Sequence, residues 1–356
     1  MKLPCLIILL TPLFLFAQNE KKEKDNPDRL SVKEYDLNAE EPEPSSIKLP
    51  FSSIKVIDSR YDTSIIGFVD AGDIFGGKAN LYKKLHLKGG CANAIQDFLK
   101  DRFQNSFDSS GMTLLIVIKN FWFSGIEYKK NKDLDLSFDI MNVTKSLYCK
   151  WEYYLEKDNK YLPVKRVDTV WTLKDNIDER VKFKFERRQK DFLKSSLQTL
   201  VEMLDFSKGV QAFGQQPKKS MQDIINFNEA RFKIPILNNS SITHGVFVNF
   251  DEFRNNKPSI LLFREKKQSI GLSHNQKFIE DGNGNQINPY WAFFDGVNII
   301  HGKFGNSILY RTQNTFVLFY KMISYYTDPT PGHLSITSRI EEWVPYEIDM
   351  ETGEVY

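Results

Sequence analysis

The chain has 356 residues, more than one compact unit usually contains, and this length predicts two domains. Hydrophobic residues make up 41% and aromatic residues 13%, which is enough to bury real cores and excludes a mostly disordered chain. The net charge is only +2, so no basic excess is present to neutralise a run of phosphates, and nucleic-acid binding is not expected.

The first residues have the layout of a secretory signal peptide. Lys2 gives a positive start, Leu3–Phe16 is almost entirely apolar, and Ala17 is a small residue at the expected cleavage site. The apolar run contains two prolines and is shorter than the roughly 20 residues that a membrane-spanning helix needs. We therefore expect residues 1–18 to be removed on export to the periplasm or outer membrane of a diderm bacterium, which leaves no transmembrane span.

Residues 19–45 are dense in charge and end near Glu-Pro-Glu-Pro. Such a composition buries too little apolar surface to offset the entropy of ordering, so a disordered, charged tether is predicted here.

Residues 46–205 are expected to form an α+β domain, a mostly antiparallel sheet with two packed helices. Apolar alternation predicts strands at 54–56, 65–69, 81–87, 112–128, 134–143, 146–157 and 160–173, with a glycine-rich loop at 71–80 and a turn at Asp158-Asn159. A helical period predicts one helix near 90–107, with a core face of Ile95, Phe98, Leu99, Phe103 and Phe107. It predicts a second near 176–205, with a core face of Leu193, Leu197, Leu200, Val201 and Leu204.

Residues 206–233 are rich in turn formers and are predicted to be a connector with a short helix at 220–230. Residues 234–356 show short apolar runs separated by turn signals at 255–258, 281–284 and 295–296, and a turn at Glu351–Gly353 predicts a final hairpin. This pattern predicts a mainly-β sandwich or a small open barrel.

Two cysteines remain after signal cleavage, Cys91 and Cys149. An oxidising compartment allows a disulfide between them, but nothing in the sequence places them within bonding distance, and two separate buried thiols are the simpler interpretation.

Recognisable catalytic or metal-binding motifs are missing from the sequence. None of the five histidines forms a pair at i and i+4, and there is no Cys-x-x-Cys, nucleophile elbow, phosphate-binding loop or dinucleotide fingerprint. No cofactor or metal is therefore expected. The run Asp281–Gln286 offers oxygens at alternate positions but lacks the glycine and the final Glu of a calcium loop, so a hairpin turn is the simpler interpretation.

Two groups of residues are candidate sites. Asp58, Arg60 and Asp62 could form a carboxylate pair with an arginine clamp, or an internal salt bridge at a strand end. Aromatic residues crowd the predicted strands around Trp122, Trp151 and Trp291, where they could form an outward platform for a glycan or a protein, or simply a core.

The run IKVIDSRYDTSIIGFV, the helix near 91–107 and the strand GMTLLIVIKNFWF resemble small outer-membrane lipoproteins of the YajG type and related envelope accessory domains. This chain departs from that family because Cys5 lies at the start of its apolar run, where no lipid would be attached. The C-terminal segments GVFVNFDEFRNNKPSI and WAFFDG are similar to a module of exported bacterial proteins without a known activity. The resemblance implies an envelope role and supplies no catalytic residue.

These observations favour a non-enzymatic binding or accessory module of the cell envelope that contacts another envelope protein or a glycan. The alternative is a secreted hydrolase whose acid and base are carboxylates brought together by the fold, such as Asp58, Asp62 and Asp295. That alternative requires two of them to converge in one concave pocket.

Overall fold

The computed structural model describes residues 30–39, 44–70, 82–109, 111–123, 127–130, 141–177, 182–206, 217–270, 274–303, 307–328 and 336–355. These residues form a β-rich α+β fold with four mostly antiparallel sheets, none closed into a barrel, as the sequence predicts. The predicted signal peptide and the predicted loop at 71–80 lie outside the described residues. Within the described residues, no helix is both long enough and apolar enough to cross a membrane.

The first part of the chain contains β1 (Val32–Tyr35), β2 (Ser53–Asp58), β3 (Phe68–Asp70), β4 (Tyr82–Leu87), α1 (Cys91–Phe103), β5 (Thr113–Phe123), β6 (Glu127–Lys130), β7 (Met141–Lys157), β8 (Lys160–Ile177), α2 (Lys182–Glu202) and α3 (Met221–Ala230). The larger sheet has the order β2-β5-β7-β6, and β8 pairs with the other side of β7. Only β2 and β5 are parallel in this sheet. The smaller sheet has the order β1-β4-β3.

The predicted tether is wrong over the described part of residues 19–45. Strand β1 pairs with β4 in parallel, and Tyr35 and Leu37 are buried in the N-terminal core. Tyr35 and Leu37 are alternate apolar side chains in a charged stretch. Their burial is enough to hold a short edge strand against the free edge of β4.

Both faces of the larger sheet are covered. On one face, α1 and α2 bury the predicted apolar positions, although Phe107 and Leu204 lie beyond the helix ends. Helix α2 begins later than predicted because β8 continues to Ile177. The opposite face, with Leu115 and Tyr154, packs on Ile224 of α3. The predicted short helix at 220–230 is thus confirmed, and it belongs to the packed layer.

The second part of the chain contains α4 (Pro235–Asn238), β9 (Gly245–Phe247), α5 (Phe250–Arg254), β10 (Phe263–Ile270), β11 (His274–Asp281), β12 (Gln286–Ile287), β13 (Ala292–Phe294), β14 (Ile299–His301), β15 (Ser307–Arg311), β16 (Phe316–Asp328) and β17 (Ile336–Glu347). One sheet has the order β17-β16-β15-β14-β13-β9, and the other has the order β10-β11-β12. Val246, Phe293 and Ile300 of the first sheet pack on Ile279 of the second, which gives an open sandwich.

The turn predictions hold, while the two short helices of this part are not foreseen. Asp281 accepts backbone hydrogen bonds from Asn283 (2.9 Å) and Asn285 (2.8 Å), so the loop that resembles a calcium site is a hairpin turn. Helix α5 follows β9 directly, because the Asn249 side chain accepts from the backbone N–H of Glu252 and caps the helix.

The two parts of the chain meet in an apolar contact and in a charged one. In the apolar contact, Phe68 and Trp122 pack with Val317 and Phe319, and the Phe68 ring centroid lies 5.6 Å from that of Trp122. The charged contact lies beside it and is built around the segment that follows β2.

Candidate functional site

Arg60 organises the segment between β2 and β3. Strand β2 ends at Asp58, and the buried Arg60 guanidinium returns to that carboxylate with its Nε at 2.9 Å and its Nη2 at 2.8 Å. Its Nη1 donates to the carbonyl of Ile65 (2.5 Å) and its Nη2 to that of Thr63 (3.3 Å). A planar fork of donors fits this combination of bidentate carboxylate and carbonyl contacts, so the pair fixes the path of the segment.

Two buried carboxyl groups lie near this guanidinium. Asp62 accepts from the backbone N–H (2.8 Å) and the hydroxyl (2.5 Å) of Ser64. Glu347, at the end of β17, is buried, and its burial together with the charge of Asp62 raises its pKa well above the ordinary value, against the opposing effect of Arg60. Glu347 therefore keeps its proton in a pH range in which an exposed glutamate has lost it.

A second set of charges joins strand β7, helix α3 and the C-terminal hairpin. Lys150 Nζ lies 3.0 Å from Asp349 and 3.3 Å from Glu351, and Arg231 Nε lies 2.5 Å from the other Glu351 oxygen. Arg231 also donates to the carbonyl of Ser59 at 2.9 Å. Burial acts to raise the pKa of Glu351, but Arg231 and Lys150 outweigh it and hold that pKa below its ordinary value.

One cavity lies between the two parts of the chain, and its charged lining residues are Arg60, Asp62, Lys119, Lys150, Arg231, Glu347 and Asp349. Its volume is about 10 Å³, which is about the space that one ordered water needs. Lys119 is itself paired with Glu152 at 2.6 Å. The cavity can hold one water among these fixed charges, and it leaves no room for a substrate.

The carboxylates expected for a hydrolase do not meet. Of these three, Asp62 lines the cavity, whereas Asp58 is held by Arg60 and is not part of its lining. Asp295 lies in the β13–β14 turn, where it accepts from the backbone N–H groups of Val297 (2.7 Å) and Asn298 (2.6 Å). The pairing of Asp58 with Arg60 matches the internal salt bridge that was the other interpretation of this motif.

The aromatic residues singled out from the sequence are core residues. Trp122, Trp151 and Trp291 are 2%, 0% and 8% exposed, so none presents a ring face to solvent. Trp291 packs on Phe253 with ring centroids 4.4 Å apart, and Trp122 lies in the contact between the two parts of the chain. These tryptophans therefore do not form an outward aromatic platform.

Cys91 and Cys149 are free thiols, both buried in the N-terminal core. Burial raises the pKa of Cys91 to about 12 and raises that of Cys149 well above its ordinary value, so both stay protonated and unreactive at neutral pH.

Sequence reasoning missed the partners that complete the cluster, namely Lys150, Arg231, Glu347 and Asp349. Each sits in a strand, helix or hairpin that contains other charged residues, so nothing local distinguishes it from a solvated charge. Among the residues that the structure describes, no group of three or more His, Cys, Asp or Glu side chains is placed to hold a metal ion.

Comparison with known proteins adds no further assignment. No family model, no curated protein and no solved structure matches this chain.

Proposed function

We propose that this chain is an exported, non-enzymatic binding module of the bacterial cell envelope that contacts a protein partner through an apolar patch on its C-terminal sheets. We define the apolar patch as Leu261, Leu262 and Val297. Among the described residues, Val297 and Leu262 are the most exposed large hydrophobic side chains, at 80% and 75%, and Leu261 is 56% exposed. This exposure is the observation that carries the proposal.

Strand pairing brings the three residues to the same end of the sheet. Ile260 forms an antiparallel bridge with Val246, so Leu261 and Leu262, which follow it, lie at the Gly245 end of β9 and beyond it. Gly245 is also paired with Phe294, so the turn after β13, which contains Val297, extends beyond the same end. Solvent-exposed aliphatic side chains grouped at loop tips are typical of contact surfaces.

The chemistry of the patch favours a protein over a glycan. Aliphatic side chains gain stability by removing area from water, at about 25 cal/mol per Å². Glycan recognition uses the flat faces of aromatic rings. The three tryptophans that could have supplied such faces are buried.

Export and an accessory role are supported by the sequence. The charge, apolar length and small residue of Lys2–Ala17 favour export. The resemblance of the segment from β2 to β5 to YajG-type envelope lipoproteins favours an accessory role in the envelope.

The test is capture of a partner from crosslinked cell envelopes with the tagged full chain. We compare the wild type with Leu262→Ser combined with Val297→Ser, and use Val32→Ser as the matched control because Val32 is 55% exposed on strand β1. We expect the wild type and the control to capture the same protein and the patch variant to lose it. Equal capture by all three, or no captured protein, would contradict the proposal.

A further inference from the structure

Strand β8 has one side, its open side, on which the described part of the chain leaves most of its backbone groups unpaired. It pairs with β7 along its whole length from Lys160 to Ile177. On its other side, within the part of the chain that the structure describes, only Tyr161 has a backbone partner, exchanging hydrogen bonds of 2.9 and 2.8 Å with Lys219. A long strand edge of this kind is a template for pairing with another strand.

The pairing with β7 decides which residues of β8 direct their backbone groups outward. Tyr161 directs its backbone groups away from β7 and is opposite Glu156, and in an antiparallel pair this orientation repeats at every second residue of β7. A bulge adds Val164 to β8, so the count on β8 moves by one residue at that point. Arg166 is opposite Glu152 and Asp168 is opposite Lys150, so both present their N–H and C=O groups to the open side.

The side chains of these two residues are exposed and opposite in charge. Arg166 is 52% exposed and its closest ion-pair contact, to Glu351, is long at 3.9 Å. Asp168 is 64% exposed and lies 3.8 Å from Lys150. Both charges are therefore accessible to a partner on the open side.

We propose that a second copy of this chain pairs with β8 through its own β8, antiparallel and centred on Val167. This register places Arg166 of one copy opposite Asp168 of the other, and the reverse, so two ion pairs form about the two-fold axis. The same residues exchange backbone hydrogen bonds, because both point outward. Moving the centre of the pairing by one residue, which shifts the register by two, would instead place Arg166 opposite Arg166 or Asp168 opposite Asp168, and like charges directly opposite destabilise a sheet.

The contact is isologous, so it closes into a dimer and does not propagate. Its hydrogen bonds and ion pairs lie near solvent, which makes the dimer reversible and sensitive to salt.

Charge complementation tests the register. Arg166→Asp gives a chain with acidic residues at both positions, and Asp168→Arg gives one with basic residues at both. Each variant alone places like charges in opposition, whereas their mixture restores both ion pairs in a heterodimer. Lys165→Asp is the matched control, since it changes the net charge as Arg166→Asp does but lies opposite Thr169 in this register.

We measure self-association by sedimentation velocity with the full chain and check folding of each variant by circular dichroism. We expect a wild-type dimer, self-association weakened by about tenfold or more in each single variant, recovery in the mixture, and little effect in the control. A wild type that stays monomeric at its highest soluble concentration would overturn the proposal and mean that these charges protect the edge from pairing. A mixture no tighter than its components would overturn the register.

Discussion

Replacing Glu347 by Gln removes the ionisable group from the closed charged cluster while keeping the shape of the side chain. Glu347 is buried, and its pKa is raised first by burial and then by the neighbouring charges of Asp62 and Asp349, while Arg60 opposes the rise. The folded protein therefore holds a proton that the unfolded chain has released above its ordinary pKa of 4.5.

The sign of the pH dependence follows from this difference in bound protons. Below pH 4.5 Glu347 is protonated in both the folded and the unfolded state, so it adds nothing to the pH dependence of stability. As the pH rises from 4.5 towards the folded-state pKa, the free energy of unfolding decreases. The slope contributed by this single group reaches about 1.4 kcal/mol per pH unit. Gln carries no proton to lose, so the variant lacks this contribution.

The assay is urea unfolding of the wild type and of Glu347→Gln from about pH 5 to about pH 8, analysed as the difference in the free energy of unfolding. We expect the variant to gain stability relative to the wild type as the pH rises. Glu351→Gln is the control, because the pKa of Glu351 is lowered and its charged form stabilises the fold above its ordinary pKa of 4.5. That stabilisation is lost only as the pH falls below 4.5, so the difference between the wild type and Glu351→Gln should stay constant from about pH 5 to about pH 8. A difference between wild type and Glu347→Gln that does not change with pH would refute the reasoning.

Three further changes test other parts of the structure. Gly67→Ala should lower the free energy of unfolding by several kcal/mol, because Gly67 has φ +131° and a Cβ would overlap the backbone of Phe123. Gly284→Ala is the control and should lower it by about 1 kcal/mol, because Gly284 also has a positive φ but lies in open space. Urea unfolding midpoints, compared between variants with equal slopes, would check both values. His301 has its pKa lowered to about 4 by burial, so its NMR signals should show no protonation near pH 6, and stability that depends on it is lost as pH falls from 6.5 towards 4. Protonation of His301 near pH 6.5 would contradict the burial argument. Ser220→Ala should cost about 1 kcal/mol by removing the capping box of α3, and an unchanged thermal midpoint would show that the cap contributes nothing.

Periodic patterns in the sequence were enough to predict most of the N-terminal strands and the two helices, whereas β7 (Met141–Lys157) is one strand over a region where two were predicted, at 134–143 and 146–157. The apolar faces of α1 and α2 are spaced by 3.6 residues, and the β7–β8 turn at Asp158-Asn159 has the two positive φ values that such a hairpin requires. The ends of the elements were less predictable. Strand β1 depends on a tertiary edge that no local pattern encodes.

The charged cluster could not be predicted, for a different reason. Glu347 is one of three acidic residues in β17, with Glu341 and Glu342, and nothing in the sequence of this strand distinguishes a glutamate that meets water from one that another part of the chain buries. Asp58 and Arg60 were found because they are neighbours in sequence, whereas the partners of Lys150 are about 200 positions away. The three tryptophans were considered for an outward surface and are buried instead. A strand with aromatic residues on both faces has the same sequence pattern whether one face meets solvent or both faces are buried.

Tyr61 shows how closely the two parts of the chain depend on each other. It follows β2 in sequence, yet its ring packs in the C-terminal core against Phe232, with ring centroids 5.3 Å apart, and its carbonyl accepts from the backbone of Asn314. A gene fragment that begins after the connector would encode a core with a gap the size of a tyrosine ring. During synthesis, the ring of Tyr61 has no core to enter until nearly the whole chain has emerged. The C-terminal part is thus not a unit that recombination could move intact to another protein.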